Sequence, residues 1–393
     1  MDTRKVRLFF EGRKGLLPKI EAACRPYQDI IWFHVASFGE FEEARPVIEA
    51  TRARFPGRKI LLTVFSPSVY EPMKNYDRVD WVFYLPLDTP GNARRFLDAV
   101  RPAKAVFNIG EHWPFLLNEL RRRRIETYIM SVRIEPDSPY LRWYGLLQRR
   151  ILQRCYRCVM VQNEESRRLL TQMGVPEVKV VGDARVDRVV TVCRQKWSDP
   201  LVDAWCDGLK VFVAGSTYPT EDQMLVELAN THPEVKMLVI PHELDRAEVD
   251  GILAGAQHGA VRYTDYIGKK TDDALLGAQI LVVDTVGMLS KLYRYGFAAY
   301  VGGGFTGPMP HSVIEPAAYG IPVAFGPRFD RELHCKDMAA IEAGFPVANQ
   351  QELEFFFEKS VGDRGFLERT GRIAADYCHR SAGATSAIMD IIF

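Results

Sequence analysis

A carboxylate that directly follows a buried strand and opens a helix is placed to move protons. Glu40, in the segment ASFGE at 36–40, is the first residue of this kind. Gly39 permits a tight strand-to-helix turn, and the helix dipole favours a carboxylate at such a start. Two roles fit: a capping carboxylate that satisfies main-chain N–H groups, or a general base that takes a proton from an attacking hydroxyl. Gly110-Glu111-His112-Trp113-Pro114 ends another apolar run; Trp113 has an ordinary core explanation and Glu111 has none. Arg133, in SVRIEPDS, and Arg185, in GDARVD between Asp183 and Asp187, put guanidinium groups at two further run ends. Guanidinium binds phosphate or carboxylate in bidentate fashion. The arginines at 121–124 read as a solvated or membrane-facing charge run.

The second half offers loops of another kind. Gly215-Ser216-Thr217, Pro241-His242-Glu243, Asp284-Thr285-Val286-Gly287 and Gly302-Gly303-Gly304 each follow a short apolar run, and His311-Ser312-Val313-Ile314-Glu315 opens a helical stretch. Small residues and main-chain N–H groups at a helix start make a phosphate site, and Glu315 beside it can accept from ribose hydroxyls. Four such loops in one half point to a nucleotide. There is no GxxxxGK[ST], which argues against P-loop phosphoryl transfer, and no GxGxxG after the first run of either half, which argues against a dinucleotide dehydrogenase. Cys155 and Cys158 form a lone CxxC, and the eight histidines lack ligand spacing, so no metal site is expected.

The elements that must position these residues form two series. Apolar runs at 30–34, 60–65, 81–85, 105–109, 127–132, 158–162 and 178–181, then at 211–214, 237–240, 280–283, 298–301, 322–325 and 345–348, alternate with amphipathic stretches. Continuous apolar runs fit strands covered on both faces, and strands spaced by helices fit a parallel sheet of βαβ units. The expected organisation is α/β: two doubly wound Rossmann-like domains, 1–192 and 209–393, joined by a linker at 193–208. Ligands then bind beyond the strand ends, in a cleft between the domains. The last segment, 366–393, reads as helix, and its end is a candidate to return to the first domain.

Of the 393 residues, 47% are hydrophobic and 26% charged, the profile of a folded globular chain. The net charge of +1 hides an asymmetry: residues 1–200 carry 35 Lys+Arg against 24 Asp+Glu, and residues 201–393 carry 16 against 26. A basic first half favours an anionic surface or a phosphorylated substrate. The acidic second half and the lack of an aromatic-basic RNA motif disfavour nucleic acid. Seven cysteines, an odd number, fit a reducing compartment. No apolar stretch approaches 18 residues, and the charged N-terminus carries no secretory signal.

The segments WFHVASFGE, GEHWP, VQNEESRRLL, VGDARVDRV, AGSTYPTED, DTVGML and YVGGGF…HSVIEPAAYGIPVAFGP occur in the order found in Kdo transferases, which the chain resembles over about residues 10–350. These bacterial enzymes move 3-deoxy-D-manno-octulosonic acid (Kdo) from CMP-Kdo onto the lipid A precursor. The resemblance implies the two-Rossmann-domain GT-B fold, inversion at the anomeric centre, and no metal or other cofactor. It implies Glu40 as general base, with Glu111 and Arg185 stabilising the transition state. It places CMP on Pro241, His242, Val286, Gly287, Met288, Ser312, Val313, Ile314 and Glu315, with a helix starting near Ser312 at the leaving phosphate. Ser216, Thr217, Asp284, His311 and Arg133 are further cleft candidates. The chain departs from the family's motifs at Ile109, Tyr218, His242 and Arg328, and has Arg185 where a lysine is usual.

The implied acceptor is a bis-phosphorylated glycolipid in an anionic membrane, which gives the basic half a reason. The implied location is the cytoplasmic face of the bacterial inner membrane. Such proteins usually begin with a hydrophobic anchor, and this chain starts just after where one would end, so either the anchor lies outside it or docking is peripheral. The amphipathic start at 6–20, with Phe9, Phe10, Leu16 and Leu17 beside Arg13, Lys14 and Lys19, suits an anionic surface. The rival readings are another GT-B enzyme using a different nucleotide sugar, and a non-catalytic membrane-associated protein of the same fold.

Overall fold

A computed structural model describes residues 3–110 and 112–393. The chain divides into two compact units, Met1–Arg188 with Ser381–Phe393, and Val189–Arg380.

The first unit is built on seven parallel strands: β1 (Ile30–Val35), β2 (Ile60–Val64), β3 (Trp81–Tyr84), β4 (Pro102–Asn108), β5 (Glu126–Val132), β6 (Cys158–Val161) and β7 (Val178–Val180), in the order β3-β2-β1-β4-β5-β6-β7. Every residue of β1 is buried, as a central strand covered by helices on both faces requires. Trp32 and Phe33 in β1, Phe96 and Phe107 are fully or almost fully buried and anchor this core. The sheet order reverses between β1 and β4, and in such sheets that crevice is where ligands bind. Glu40 follows β1 and position 111 follows β4.

The second unit repeats the scheme: β8 (Val211–Thr217), β9 (Lys236–Pro241), β10 (Ala260–Arg262), β11 (Ile280–Val282), β12 (Gly296–Val301), β13 (Val323–Phe325) and β14 (Gly344–Pro346), in the order β10-β11-β9-β8-β12-β13-β14, all parallel. Its reversal lies between β8 and β12; Gly215-Ser216-Thr217, expected as a loop, form the end of β8, so Tyr218 and the loop at 302–304 share that crevice.

Four features differ from the sequence reading. Strand β10 carries no apolar run; it is a three-residue edge strand with half-buried residues. Residues 193–208 belong to the second unit and hold a helix, Pro200–Cys206, capped by Asp199. The amphipathic start is two helices, Thr3–Glu11 and Leu16–Cys24. Arg13, between them, turns inward: its guanidinium stacks 3.7 Å over the Phe9 ring and donates to the main-chain oxygens of Phe9, Phe65 and Leu85. The final segment breaks into Arg364–Ser381 and Ala384–Ile392. Ala384, Ile388, Met389 and Ile392 are buried in the first unit's core, and the Asp187 carboxylate accepts from the N–H groups of Gly383 and Thr385.

Candidate functional site

In the first unit the chain leaves β1 and is capped into helix Phe38–Arg54 by Ser37, whose hydroxyl accepts from the Glu40 N–H at 3.3 Å. Glu40 is the third residue of that helix and is half-buried. Its Oε2 accepts from the Ala36 N–H at 2.8 Å, so the carboxylate is fixed over the turn it caps. The capping role is therefore present, and it orients the same group that the other role needs.

One turn on, Glu43 is buried against Asn108, the last residue of β4. Asn108 Nδ2 donates to Glu43 Oε2 at 3.1 Å and to the Glu40 main-chain oxygen at 3.0 Å. Arg185 lies 3.5 Å from Glu43 Oε1 and grips the buried Asp183 carboxylate through Nε and Nη2. Burial raises the Glu43 carboxyl above its ordinary range, and Arg185 opposes that shift. Arg185 thus stands in a network that ends beneath Glu40. Glu43 and Asn108 were missed in the sequence, where Glu43 is one of several charged residues on a helix and Asn108 a single polar residue ending an apolar run.

Trp113 Nε1 donates to Nε2 of the buried His34 at 3.1 Å, and Nδ1 of His34 meets Thr63 Oγ1 at 2.9 Å. The helix that follows, Pro114–Arg122, receives its cap from Asp88 in another loop, which accepts from Phe115 and Leu116 N–H. Gly110, His112, Trp113, Pro139, Tyr140 and Gly145 contribute to the lining of a cavity of about 380 Å³ beyond β4. Glu111 itself lies outside the described residues. Ile109 (φ 51°), Ser131 (φ 60°) and Ser216 in the second unit (φ 57°) are non-glycine residues in the left-handed region at strand ends. Such strain costs about 1–3 kcal/mol each and gathers at functional sites. Arg133, after β5, pairs with Glu135 at 3.4 Å. Of the arginines at 121–124, Arg122 and Arg123 are tied to Glu119.

In the second unit three rings meet at the strand ends. Tyr218 Oη and His311 Nε2 are 2.9 Å apart, and His242 and His311 stack with centroids 4.3 Å apart. Burial, then the neighbouring His242, pushes His311 down to about 4, so it is neutral at pH 7. The His242 N–H donates to Thr217 O, and the His311 N–H to Gly302 O. The expected helix near Ser312 is a single turn, Ile314–Ala318, with Glu315 in it. Val313 and Ile314 are buried core residues. Thr217 is fully buried and Pro241 is buried, whereas Val286 is 85% exposed beside Gly287 and Met288. Asp284 is occupied in holding Thr264, through its N–H and its hydroxyl. The structure thus joins His242, His311, Thr217 and the Gly302–Gly304 loop in one network; no described bond joins Asp284 to it.

Residues 9–188 match the family model described as 3-deoxy-D-manno-octulosonic-acid transferase (kdotransferase). The chain is 27% identical over 350 residues to a 3-deoxy-D-manno-octulosonic acid transferase of Aquifex aeolicus, covering 88% of this chain and 89% of that one. It is 24% identical over 383 residues to one of Haemophilus influenzae, covering 94% and 88%. Among solved structures, the UDP-GlcNAc 2-epimerase of Neisseria meningitidis bound to UDP-GlcNAc superposes with a TM-score of 0.66 at 12% identity, over 92% of this chain and 98% of that one. The MurG of Acinetobacter baumannii does so with a TM-score of 0.57 at 13% identity, over 93% and 99%. At those identities the structures establish the fold alone. The sequence matches run through both units, and over most of its length this chain is similar to the Kdo transferases.

Proposed function

We propose that this chain is an inverting glycosyltransferase that moves Kdo from CMP-Kdo onto the lipid A precursor in lipopolysaccharide biosynthesis. The observation that carries the reading is the match to Kdo transferases over 88% and 94% of the chain. The strand-end loops supply groups the reaction needs. Glu40 takes the proton of the acceptor hydroxyl as its oxygen bonds to the anomeric carbon of Kdo. The bond from that carbon to the CMP phosphate oxygen breaks on the opposite face, its electron pair leaves with CMP, and the configuration inverts. Arg185 and Glu111 are assigned to stabilising the transition state.

CMP is assigned to the second unit. Its phosphate meets main-chain N–H groups around Ser312–Ile314, which act without reorganising as charge develops. Its ribose meets Glu315, and its remaining contacts fall to the loops at 241–242 and 286–288. No metal or other cofactor enters this reading. The acceptor's phosphates and an anionic membrane surface, the cytoplasmic face of the inner membrane, suit the basic first half. No described helix is long and apolar enough to cross a membrane.

Incubating the protein with CMP-Kdo and lipid A precursor, then weighing the lipid by mass spectrometry, tests the proposal. The expected result is a lipid heavier by Kdo, with CMP released. Turnover of a UDP-sugar, with CMP-Kdo left intact, contradicts it.

A further inference from the structure

We infer that Glu221 is a positioning residue of the donor half of the site, one carboxylate that sets the loop after β8 against the loop after β12. The inference rests on the nucleotide reading above. Glu221 is the third residue of helix Pro219–Thr231 and is 2% exposed. Its Oε2 accepts from the Tyr218 N–H at 3.0 Å, as a capping carboxylate does on its own helix. Its Oε1 does what a cap has no need of: it accepts at 2.8 Å from the N–H of Gly303, 82 residues further along the chain.

The two loops it joins lie backbone to backbone. A Cβ on Gly302 would lie 2.1 Å from Ser216 O, and one on Gly303 would lie 2.4 Å from Met309 O. The Gly302 N–H donates to Gly215 O, and the His311 N–H returns to Gly302 O. Tyr218, whose N–H Glu221 holds, meets His311 through its hydroxyl. A closed circuit therefore runs Glu221, Tyr218, His311, Gly302, Gly303 and back to Glu221. His311 leads directly into Ser312–Glu315, and His242 stacks on its ring. The carboxylate touches no ligand surface; it fixes the residues that do.

Glu221→Gln keeps the length but sets an NH₂ group against one of the two N–H donors, so one bond is lost. Hydrogen exchange is read over 302–312 and over the interiors of β8 and β9, alongside CMP affinity and kinetics. In the folded variant, exchange over 302–312 speeds up about tenfold or more while the strand interiors change less than about threefold. CMP binds about tenfold more weakly, and KM for CMP-Kdo rises while kcat at saturating donor stays within about threefold. Glu221→Asp, which keeps the charge and shortens the reach to Gly303, serves if the glutamine variant does not fold, with the same direction expected. A folded variant that melts earlier but keeps wild-type exchange over 302–312 and wild-type CMP affinity is a mere helix-cap variant and overturns the inference. Wild-type protein that binds no CMP, with faster loop exchange in the variant, leaves the clamp standing and removes the nucleotide reading.

Discussion

Asn108, at the end of β4, donates from Nδ2 to the main-chain oxygen of Glu40 at 3.0 Å. The strand that leads to position 111 therefore holds the helix turn that carries Glu40, and the same amide satisfies the buried Glu43 carboxylate. Asn108→Ala leaves that carboxylate short of a donor and frees the helix start. The expected loss is about 1–3 kcal/mol in a urea titration, with turnover reduced in the folded protein. Unchanged stability and turnover would show that the link does nothing.

Glu221 gives a pH signature. Burial raises its carboxyl to about 7 from an ordinary 4.5, against the two main-chain donors that lower it. The folded protein then binds the proton more tightly than the unfolded chain. The stabilisation this provides is complete below the unfolded value and is lost as pH rises through about 7. Glu221→Gln cannot titrate there. The stability of wild type relative to that variant should fall between pH 5 and pH 8, measured by paired melting curves. A relative stability that rises with pH would contradict the assignment.

Glu315→Ala removes the acceptor assigned to the ribose hydroxyls. A hydrogen bond to a charged group contributes about 1.5–3 kcal/mol, so CMP affinity by calorimetry should fall at least about tenfold. Unchanged affinity moves the ribose elsewhere.

Arg13 and its neighbours Lys14 and Lys19 should part company. Arg13→Ala removes three main-chain bonds and a stacked guanidinium, so it should lower the melting temperature and leave vesicle binding intact. Lys14 and Lys19 are exposed, and each basic residue near an anionic surface contributes about 1 kcal/mol. Replacing both should weaken sedimentation with anionic vesicles, and salt should weaken it in the wild type. Equal binding to neutral vesicles would count against a charge-driven contact.

The sheets were legible because their central strands are continuous apolar runs, and β10 was not because Ala260-Val261-Arg262 lies at an edge with little to bury. Glu40 and the second-unit loops were legible because they follow strands directly. Arg13 looked like a surface cation because its spacing fits an amphipathic face; the rings of Phe65 and Tyr84 that enclose it come from distant sequence. Glu43 and Asn108 gave no local signal, since they meet each other across 65 residues, and the bond from Gly303 to Glu221 spans 82 residues, beyond the helix start that Glu221 caps locally. The helix expected at Ser312 is short because the chain turns at Gly320, and residues 312–313 precede it.

The central claim is that Glu40 takes the acceptor's proton, and the most direct measurement is turnover of Glu40→Gln with CMP-Kdo and lipid A precursor, with the melting temperature taken on the same sample. The amide oxygen can still accept from Ala36 N–H, so the turn is kept and only the proton acceptor is lost. General-base catalysis contributes about 10²–10⁴-fold; turnover should fall by that factor while CMP affinity stays within about threefold. If Glu40 is a cap alone, the variant keeps that bond, melts close to wild type and works nearly normally. Turnover above about a tenth of wild type would contradict the account.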